Sequence, residues 1–373
     1  MNKYLKNIGK NSQKAFNSKI NTKTKNKVLN RFANLIRKNK SKIISQNKRD
    51  IYLAKKRKLR ENLINRLLLN DHKINQIIKS INIITKLKDP VDVTLDKWKR
   101  PNGLLIKRVS IPLGIIAVIY ESRPNVTSDV SSLCFKSGNS VILRGGSEAY
   151  FTNKIIANLF RKALKKNKVD QNYIQFIENK DRKFVDLILS KMEKYIDVII
   201  PRGGKSLVKR VQKLCSVPII GHLEGICHTY IDKEANLNLA KKIVHNAKLR
   251  NTSICGATET ILIHEKSLNK YVNPVLNNLE KDKCIIYADK KIKKVFNGRS
   301  KNATEKDWST EYLTAKVSVK SVKNVFEAVE HINKYGTMHT DAIISKNKKS
   351  AKYFFKNVKS SIVIHNSSTQ FAD

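Results

Sequence analysis

Apolar positions recur at helical spacing over the first ninety residues. They run through Val28, Leu29, Phe32, Leu35 and Ile36, and again through Leu63, Ile64, Leu67 and Leu68, with charged faces between them. No heptad is sustained, so separate amphipathic helices are predicted in place of a coiled coil. Asp89-Pro90 ends the pattern. The next stretch reads Lys97-Trp98-Lys99-Arg100-Pro101-Asn102-Gly103-Leu104-Leu105-Ile106-Lys107-Arg108-Val109-Ser110-Ile111. An Asn-Gly pair between two strand-like runs predicts a β-hairpin.

Three strand-turn-helix units follow. A buried strand over 114–120 leads into Glu121-Ser122-Arg123-Pro124-Asn125 and an apolar-periodic helix. A strand over 140–143 ends at Arg144-Gly145-Gly146-Ser147-Glu148, before a helix over 151–166. A strand over 196–200 ends at Pro201-Arg202-Gly203-Gly204-Lys205-Ser206, before a helix over 207–214. A second α/β stretch runs from about Thr229 to Ile344. Strands alternating with helices imply an open parallel sheet, whose ligands sit beyond the carboxyl ends of the strands. The glycine-bearing turns lie at those ends.

Composition changes this picture only in part. The chain has 373 residues, 40% of them hydrophobic, which suits at least two domains. Lys and Arg number 75 against 30 Asp and Glu, a formal charge of +45. Such an excess points to a polyanion partner or to compositional bias. The basic residues are spread along the whole length beside abundant Asn and Ile, which favours bias. Cys134, Cys215, Cys227, Cys255 and Cys284 form no C-x-x-C pair. A disulfide framework or zinc site is not expected, and a reducing cytoplasm is. The first residues lack an apolar core, so no secretory signal is expected. The longest apolar run, around Ile111 to Tyr120, is too short to span a bilayer.

Two Gly-Gly turns let backbone amides approach an anion at a helix N-terminus. Arg144, Arg202 and Lys205 add full charges there, with Gly145, Gly146, Gly203 and Gly204 in the turns. A dinucleotide phosphate suits such turns, and so does a generic tight connection, because neither matches G-x-G-x-x-G nor a Walker loop. Cys255 lies in Asn251-Thr252-Ser253-Ile254-Cys255-Gly256-Ala257-Thr258-Glu259, among small and polar residues that leave a thiol attackable. Cys134, Cys215 and Cys284 read as buried hydrophobes, and Cys227 is ambiguous. His222, His228, His331 and His339 lack metal-ligand spacing, so loop hydrogen bonds or substrate or phosphate contact are expected of them.

Several strings resemble the gamma-glutamyl phosphate reductase family of the aldehyde-dehydrogenase superfamily. They are Glu121-Ser122-Arg123-Pro124-Asn125-Val126-Thr127, Ile142-Leu143-Arg144-Gly145-Gly146-Ser147-Glu148-Ala149, Ile200-Pro201-Arg202-Gly203-Gly204, Gly221-His222-Leu223-Glu224-Gly225-Ile226-Cys227-His228 and Cys255-Gly256-Ala257-Thr258-Glu259-Thr260. Glu311-Tyr312-Leu313 and Tyr335-Gly336-Thr337-Met338-His339-Thr340-Asp341 continue the match, in order, over essentially the whole chain. The resemblance implies an aldehyde-dehydrogenase-like α/β fold with a Rossmann-type cofactor domain. It implies NADPH-dependent reduction of L-glutamyl 5-phosphate to L-glutamate 5-semialdehyde, with phosphate release, in proline biosynthesis. Cys255 would be the nucleophile, Asn125 an oxyanion donor together with the Cys255 backbone N–H, and Glu224 the counterpart of the superfamily's general base. Arg144 would face the cofactor's ribose phosphate, and Glu311 the nicotinamide ribose.

The same resemblance implies an NADP-binding domain from 1–97 and 113–222, an oligomerisation hairpin at 98–112 and a catalytic domain at 223–345. The segment 346–373 would return to the cofactor-domain side. The family continues past the segment that ends here at Asp373, so a truncated chain, impaired in activity and assembly, is expected. A full-length homo-oligomer, contact with a glutamate 5-kinase, no specific nucleic acid and no membrane are the implied partners. The competing readings are a coenzyme-A-acylating aldehyde dehydrogenase and a basic nucleic-acid-binding protein. Only 7% of residues are aromatic and no recognition module is visible, which weakens the latter.

Overall fold

The computed structural model describes residues 2–59, 61–221 and 224–371, and the side chains of Asn62 and Lys205 lie outside the description. The strands are β1 (Thr94–Lys99), β2 (Leu105–Val109), β3 (Ile115–Tyr120), β4 (Ser140–Gly145), β5 (Ile174–Phe176), β6 (Val198–Arg202), β7 (Cys227–Ile231), β8 (Thr258–His264), β9 (Ile285–Ala288), β10 (Ser300–Asn302), β11 (Lys316–Val322), β12 (Thr340–Ile344) and β13 (Ile362–His365). They fall in two compact units, Met1–Gly221 and His222–Asp373.

In the first unit β5, β4, β3 and β6 form a parallel sheet in that order. All six positions of β3 and all six of β4 are buried, as expected of strands covered on both faces. The helices Thr22–Lys38, Asp71–Lys86, Pro124–Lys136 and Tyr150–Lys166 cover one face through Phe32, Ile81, Phe135 and Phe160. Lys3–Phe16, Lys183–Lys191 and Lys205–Leu214 cover the other through Leu5, Leu189 and Val211. Asp50 ties the outer helix Lys40–Lys56 to this layer by accepting the amides of Phe151 and Thr152 at 3.1 and 2.8 Å. That carboxylate satisfies helix-start donors lacking an intrahelical partner.

The spacing reading differs from the structure at several places here, the first being that Arg144 and Gly145 belong to β4 and not to the turn after it. Pro201 and Arg202 belong to β6 and not to the turn after it. A proline is tolerated there because β6 ends the four-stranded ladder. Strand β5 was not anticipated, since three residues carry no readable alternation. The hairpin starts at Thr94, four residues before the expected 98, with Lys99 opposite Leu105 across a turn in which Gly103 takes φ +86°. Among the described residues it pairs only with itself.

The second unit holds a seven-stranded sheet in the order β10-β9-β11-β8-β7-β12-β13, parallel in every pairing. Strand β8 is central, and β7, β8 and β12 are buried throughout. The segment 346–371 is built into this unit, because β13 pairs with β12 and Phe354 fills the core beside Tyr230 and Ile343. Gln370 then donates to the carbonyls of Ala247 and Asn251 at 2.7 and 3.2 Å.

Candidate active site and cofactor cleft

The nucleophile loop is shaped by what surrounds its backbone. Cys255 is half-buried in a turn just before the central strand β8. Gly225 approaches so closely that an added Cβ would stand 2.0 Å from the Cys255 carbonyl oxygen. Only glycine fits such a contact. The Cys227 thiol donates to the same carbonyl at 3.1 Å, and the Arg250 guanidinium donates to Gln370 at the loop's start. The loop is therefore braced from β7 and from the closing segment.

His339 is the partner that spacing did not single out. Its imidazole hydrogen-bonds the Cys255 side chain, and that bond raises its pKa above the ordinary histidine value against the opposing effect of burial. Its Nδ1 lies 2.9 Å from Thr340 Oγ1 and 3.6 Å from Cys227 Sγ. The neighbouring Asp341 carboxylate adds to the raised pKa and also holds His228 at 3.0 Å. A thiol beside an imidazole that keeps its proton is set to ionise, since the cation stabilises the thiolate. Burial pushes the Cys134 and Cys284 thiols up to about 12, and burial with the Asp341 charge pushes Cys227 up as well, so these are poor nucleophiles. His331 is held neutral, its pKa lowered to about 2 by burial and by neighbouring cations. His222 lies outside the described residues. Among the described residues no group of three or more His, Cys, Asp or Glu could hold a metal.

Two carboxylates complete this part of the site. Glu311 accepts the Gly225 amide at 2.8 Å, tying its loop to the glycine under the thiol. Glu259 on β8 accepts the Leu313 amide at 3.2 Å and pairs with buried Lys248. Burial pushes the Glu259 carboxyl up to about 7, opposed by Lys248. Glu224 is half-buried in the segment leading to β7.

The remaining expected residues lie in the first unit, at the carboxyl ends of β3, β4 and β6. Ser122 has φ +45°, unusual for a side-chain-bearing residue, and Glu148 holds that turn by accepting its amide and hydroxyl at 2.6 and 2.9 Å. The turn sets the start of the helix carrying Asn125, whose amide donates to Asp129 at 3.1 Å. Beyond the strands opens a cleft of about 190 Å³ lined by Glu121, Arg144, Gly146, Arg182, Ser206 and Arg210 among others. At Gly203 a Cβ would meet Glu121 and Leu207 at 2.7 Å. The Gly204 amide donates to the Glu121 carboxylate at 3.0 Å, so this helix start already binds an anionic group of the chain's own. Arg202 is exposed at the end of β6, and Lys205 opens the next helix.

Arg144 lines the cleft from a buried position. It is 6% exposed, and its guanidinium donates to the carbonyls of Gly145, Lys180 and Asp181. It braces the cleft wall, and its buried Nε has no protein partner. Arg182 is the exposed cation of the same cleft, close enough to lower the Arg144 pKa, while Arg210 is matched by Asp186 at 2.6 Å. An orphaned buried donor and an exposed arginine fit a phosphate-bearing nucleotide.

The model of the aldehyde dehydrogenase family matches residues 3–290. The chain is 44% identical over 349 residues to the gamma-glutamyl phosphate reductase of Brucella suis biovar 1, covering 94% of this chain and 83% of that one. It is 43% identical over 371 residues to the gamma-glutamyl phosphate reductase of Bartonella henselae, covering 99% and 90%. The crystal structure of gamma-glutamyl phosphate reductase from Thermotoga maritima superposes with a TM-score of 0.94 at 37% identity, covering 99% and 89%. The fold is that of the aldehyde dehydrogenase class. The chain belongs to that family and, within it, to the gamma-glutamyl phosphate reductases.

The Cys255–His339 contact has a measurable consequence. Alkylation of the native protein by iodoacetamide should occur first at Cys255, and Cys255→Ser should remove the fast phase. Because His339 keeps its proton to higher pH, it favours the Cys255 thiolate below the pH where a free thiol ionises. His339→Ala should therefore move the pH midpoint of alkylation upward and slow the reaction at pH 7 by about fivefold to tenfold. An unchanged profile would remove His339 from the site.

Proposed function

We propose that the chain reduces L-glutamyl 5-phosphate to L-glutamate 5-semialdehyde with release of phosphate, as a step of proline biosynthesis. The observation that carries this reading is the half-buried Cys255 held against His339, in a chain 44% identical to curated gamma-glutamyl phosphate reductases. Cys255 attacks the acyl carbon as thiolate, the carbon–oxygen bond to phosphate breaks, and the acyl group stays on sulfur as a thioester. Asn125 Nδ2 and the Cys255 backbone N–H are assigned as donors to the developing oxyanion. NADPH, when bound, supplies the hydride. Cys255 then leaves as thiolate, kept anionic by His339. Glu311 is assigned to the nicotinamide ribose. Glu224 stands where oxidising members of the superfamily activate water, a step that would waste the thioester here.

The test runs in the oxidative direction, with glutamate 5-semialdehyde, NADP and phosphate. Cys255→Ser should lower turnover by at least about a thousandfold, while Ser at Cys134, Cys215 or Cys284 should leave most of it. Near-normal turnover by the Cys255 variant would sink the mechanism. Turnover that needs coenzyme A and ignores phosphate would move the chain to the acylating class.

We assign NADPH as the preferred cofactor, held by Arg144, Gly146 and Arg182 of the cleft, with Gly145, Arg202, Gly203, Gly204 and Lys205 assigned beside them as the family resemblance implies. The exposed Arg182 supports this preference, since an arginine fork suits a 2′-phosphate. Fluorescence titration should show Arg182→Ala weakening NADPH about tenfold or more and NADH less than about threefold. Equal losses for both cofactors would count against it.

Homo-oligomer formation through the hairpin is the third part of the reading. Leu95, Leu104, Leu105 and Ile111 are exposed along a two-stranded ribbon with open edges, a surface suited to a second copy. Light scattering should show Leu105→Lys with Ile111→Lys shifting the protein to a smaller species. An unchanged mass would place the contact elsewhere. No described helix is long and apolar enough to cross a membrane. A cytoplasmic location is proposed on the five unpaired cysteines.

A further inference from the structure

One helical turn beyond Asn125 stands Asp129, on the same face by its i,i+4 spacing. The two side chains border a cavity of about 320 Å³, whose wall also includes Arg66, Lys73 and Ser80. Asp129 Oδ2 accepts the Asn125 amide at 3.1 Å, and the Ser80 and Ser128 hydroxyls also face the carboxylate, yet Oδ1 is buried without a partner in hydrogen-bonding geometry. A carboxylate serving only to brace the helix would leave no such oxygen, because a buried polar atom without a partner is costly. Burial raises the Asp129 pKa, and the hydrogen bonds from Asn125, Ser80 and Ser128 oppose it only in part. Lys73 Nζ donates to the Leu68 and Asn65 carbonyls at 2.8 and 3.3 Å, which fixes its charge in the wall. One anion and two cations thus share a small cavity with the residue assigned to the oxyanion.

We infer that this cavity binds the α-amino-acid end of the substrate, with Asp129 taking the α-ammonium group and Arg66 and Lys73 the α-carboxylate. The assignment rests on the reductase reading and names the residues that select its substrate. The spacing agrees. In a glutamyl chain the acyl oxygen and the α-nitrogen are on the order of 5 Å apart by ordinary bond lengths. A helix repeats every 5.4 Å or so, so Asn125 and Asp129 can meet those two groups at once. The unused Asp129 oxygen is then the acceptor that the ammonium satisfies, and an analogue lacking the amine leaves it buried and unpaired.

The test compares three aldehydes in the oxidative assay. They are L-glutamate 5-semialdehyde, 5-oxopentanoate, which lacks the amine, and 4-aminobutanal, which lacks the carboxylate. The native enzyme should favour the first over each of the others by about 100-fold or more in kcat/KM. Asp129→Asn should cut the preference over 5-oxopentanoate to under about tenfold and leave that over 4-aminobutanal largely intact. Arg66→Gln should do the reverse. Each ratio is taken on one preparation, so partial misfolding cancels. Should Asp129→Asn be inactive, calorimetry in the Cys255→Ser background decides, where loss of L-glutamate binding with glutarate binding retained supports the assignment. Native discrimination that both variants keep overturns it and leaves the reductase reading standing. A native enzyme that oxidises none of the three rejects the reductase reading and this assignment with it.

Discussion

The central strand β8 is the constraint on which the second unit depends. It lies fourth of seven, is buried along its whole length, and has its ladder partners on both sides in parallel register. A strand so placed cannot slide, because a shift of one residue would turn every side chain to the opposite face. The loop ahead of it, with Cys255, therefore starts from a fixed point. The register shifts between Cys227 and His228 in the adjoining ladder, next to the thiol that donates to the Cys255 carbonyl. Gly225 follows from the same geometry, since the chain entering β7 has to pass against that loop.

What was legible in the sequence were features carried by local pattern. The first-unit helices, the Asn-Gly hairpin and the glycine turns after β4 and β6 all show in short strings. Cys255 stood out by its small, polar neighbours. What was not legible depends on residues far apart in the chain. His339 lies 84 positions after Cys255, and nothing near it in sequence indicates a thiol. The place of the closing segment was not legible because a four-residue strand such as β13 gains its position only from β12. The bonds from Arg144 to Lys180 and Asp181 were not legible either, since they come from a loop whose approach no spacing reveals.

Charge divides along similar lines. The formal excess of +45 means that most cations have no carboxylate to pair with. The acidic residues are used at structural points. Asp89 holds buried Lys25, Asp186 matches Arg210, Glu259 meets buried Lys248, and Glu148 and Glu121 take amides in the cofactor cleft. The unmatched cations are mainly solvated and screened beyond about 10 Å at ordinary ionic strength. They make a surface that attracts anions without choosing among them. Choice of ligand falls to the few charges with fixed surroundings, in keeping with a basic excess that reads as compositional bias.

Proton balance gives His339 a second duty under the proposed reaction. Reduction of an acyl phosphate to an aldehyde and inorganic phosphate takes up one proton together with the hydride. The thiolate that attacks is regenerated at the end, so sulfur is not the net acceptor. Nor is the aldehyde, whose new hydrogen on carbon comes from the hydride. The proton goes to the departing phosphate, which is more basic once freed from the acyl group. A group beside the thiol that is cationic before attack can supply it, and the raised pKa of His339 puts it in that state nearer neutral pH than an ordinary histidine. After transfer, the neutral imidazole beside a thioester no longer faces a thiolate, so the interaction that raised its pKa is gone until sulfur is released. Collapse to the aldehyde restores the thiolate, and with it the driving force for His339 to take a proton from solvent and begin again.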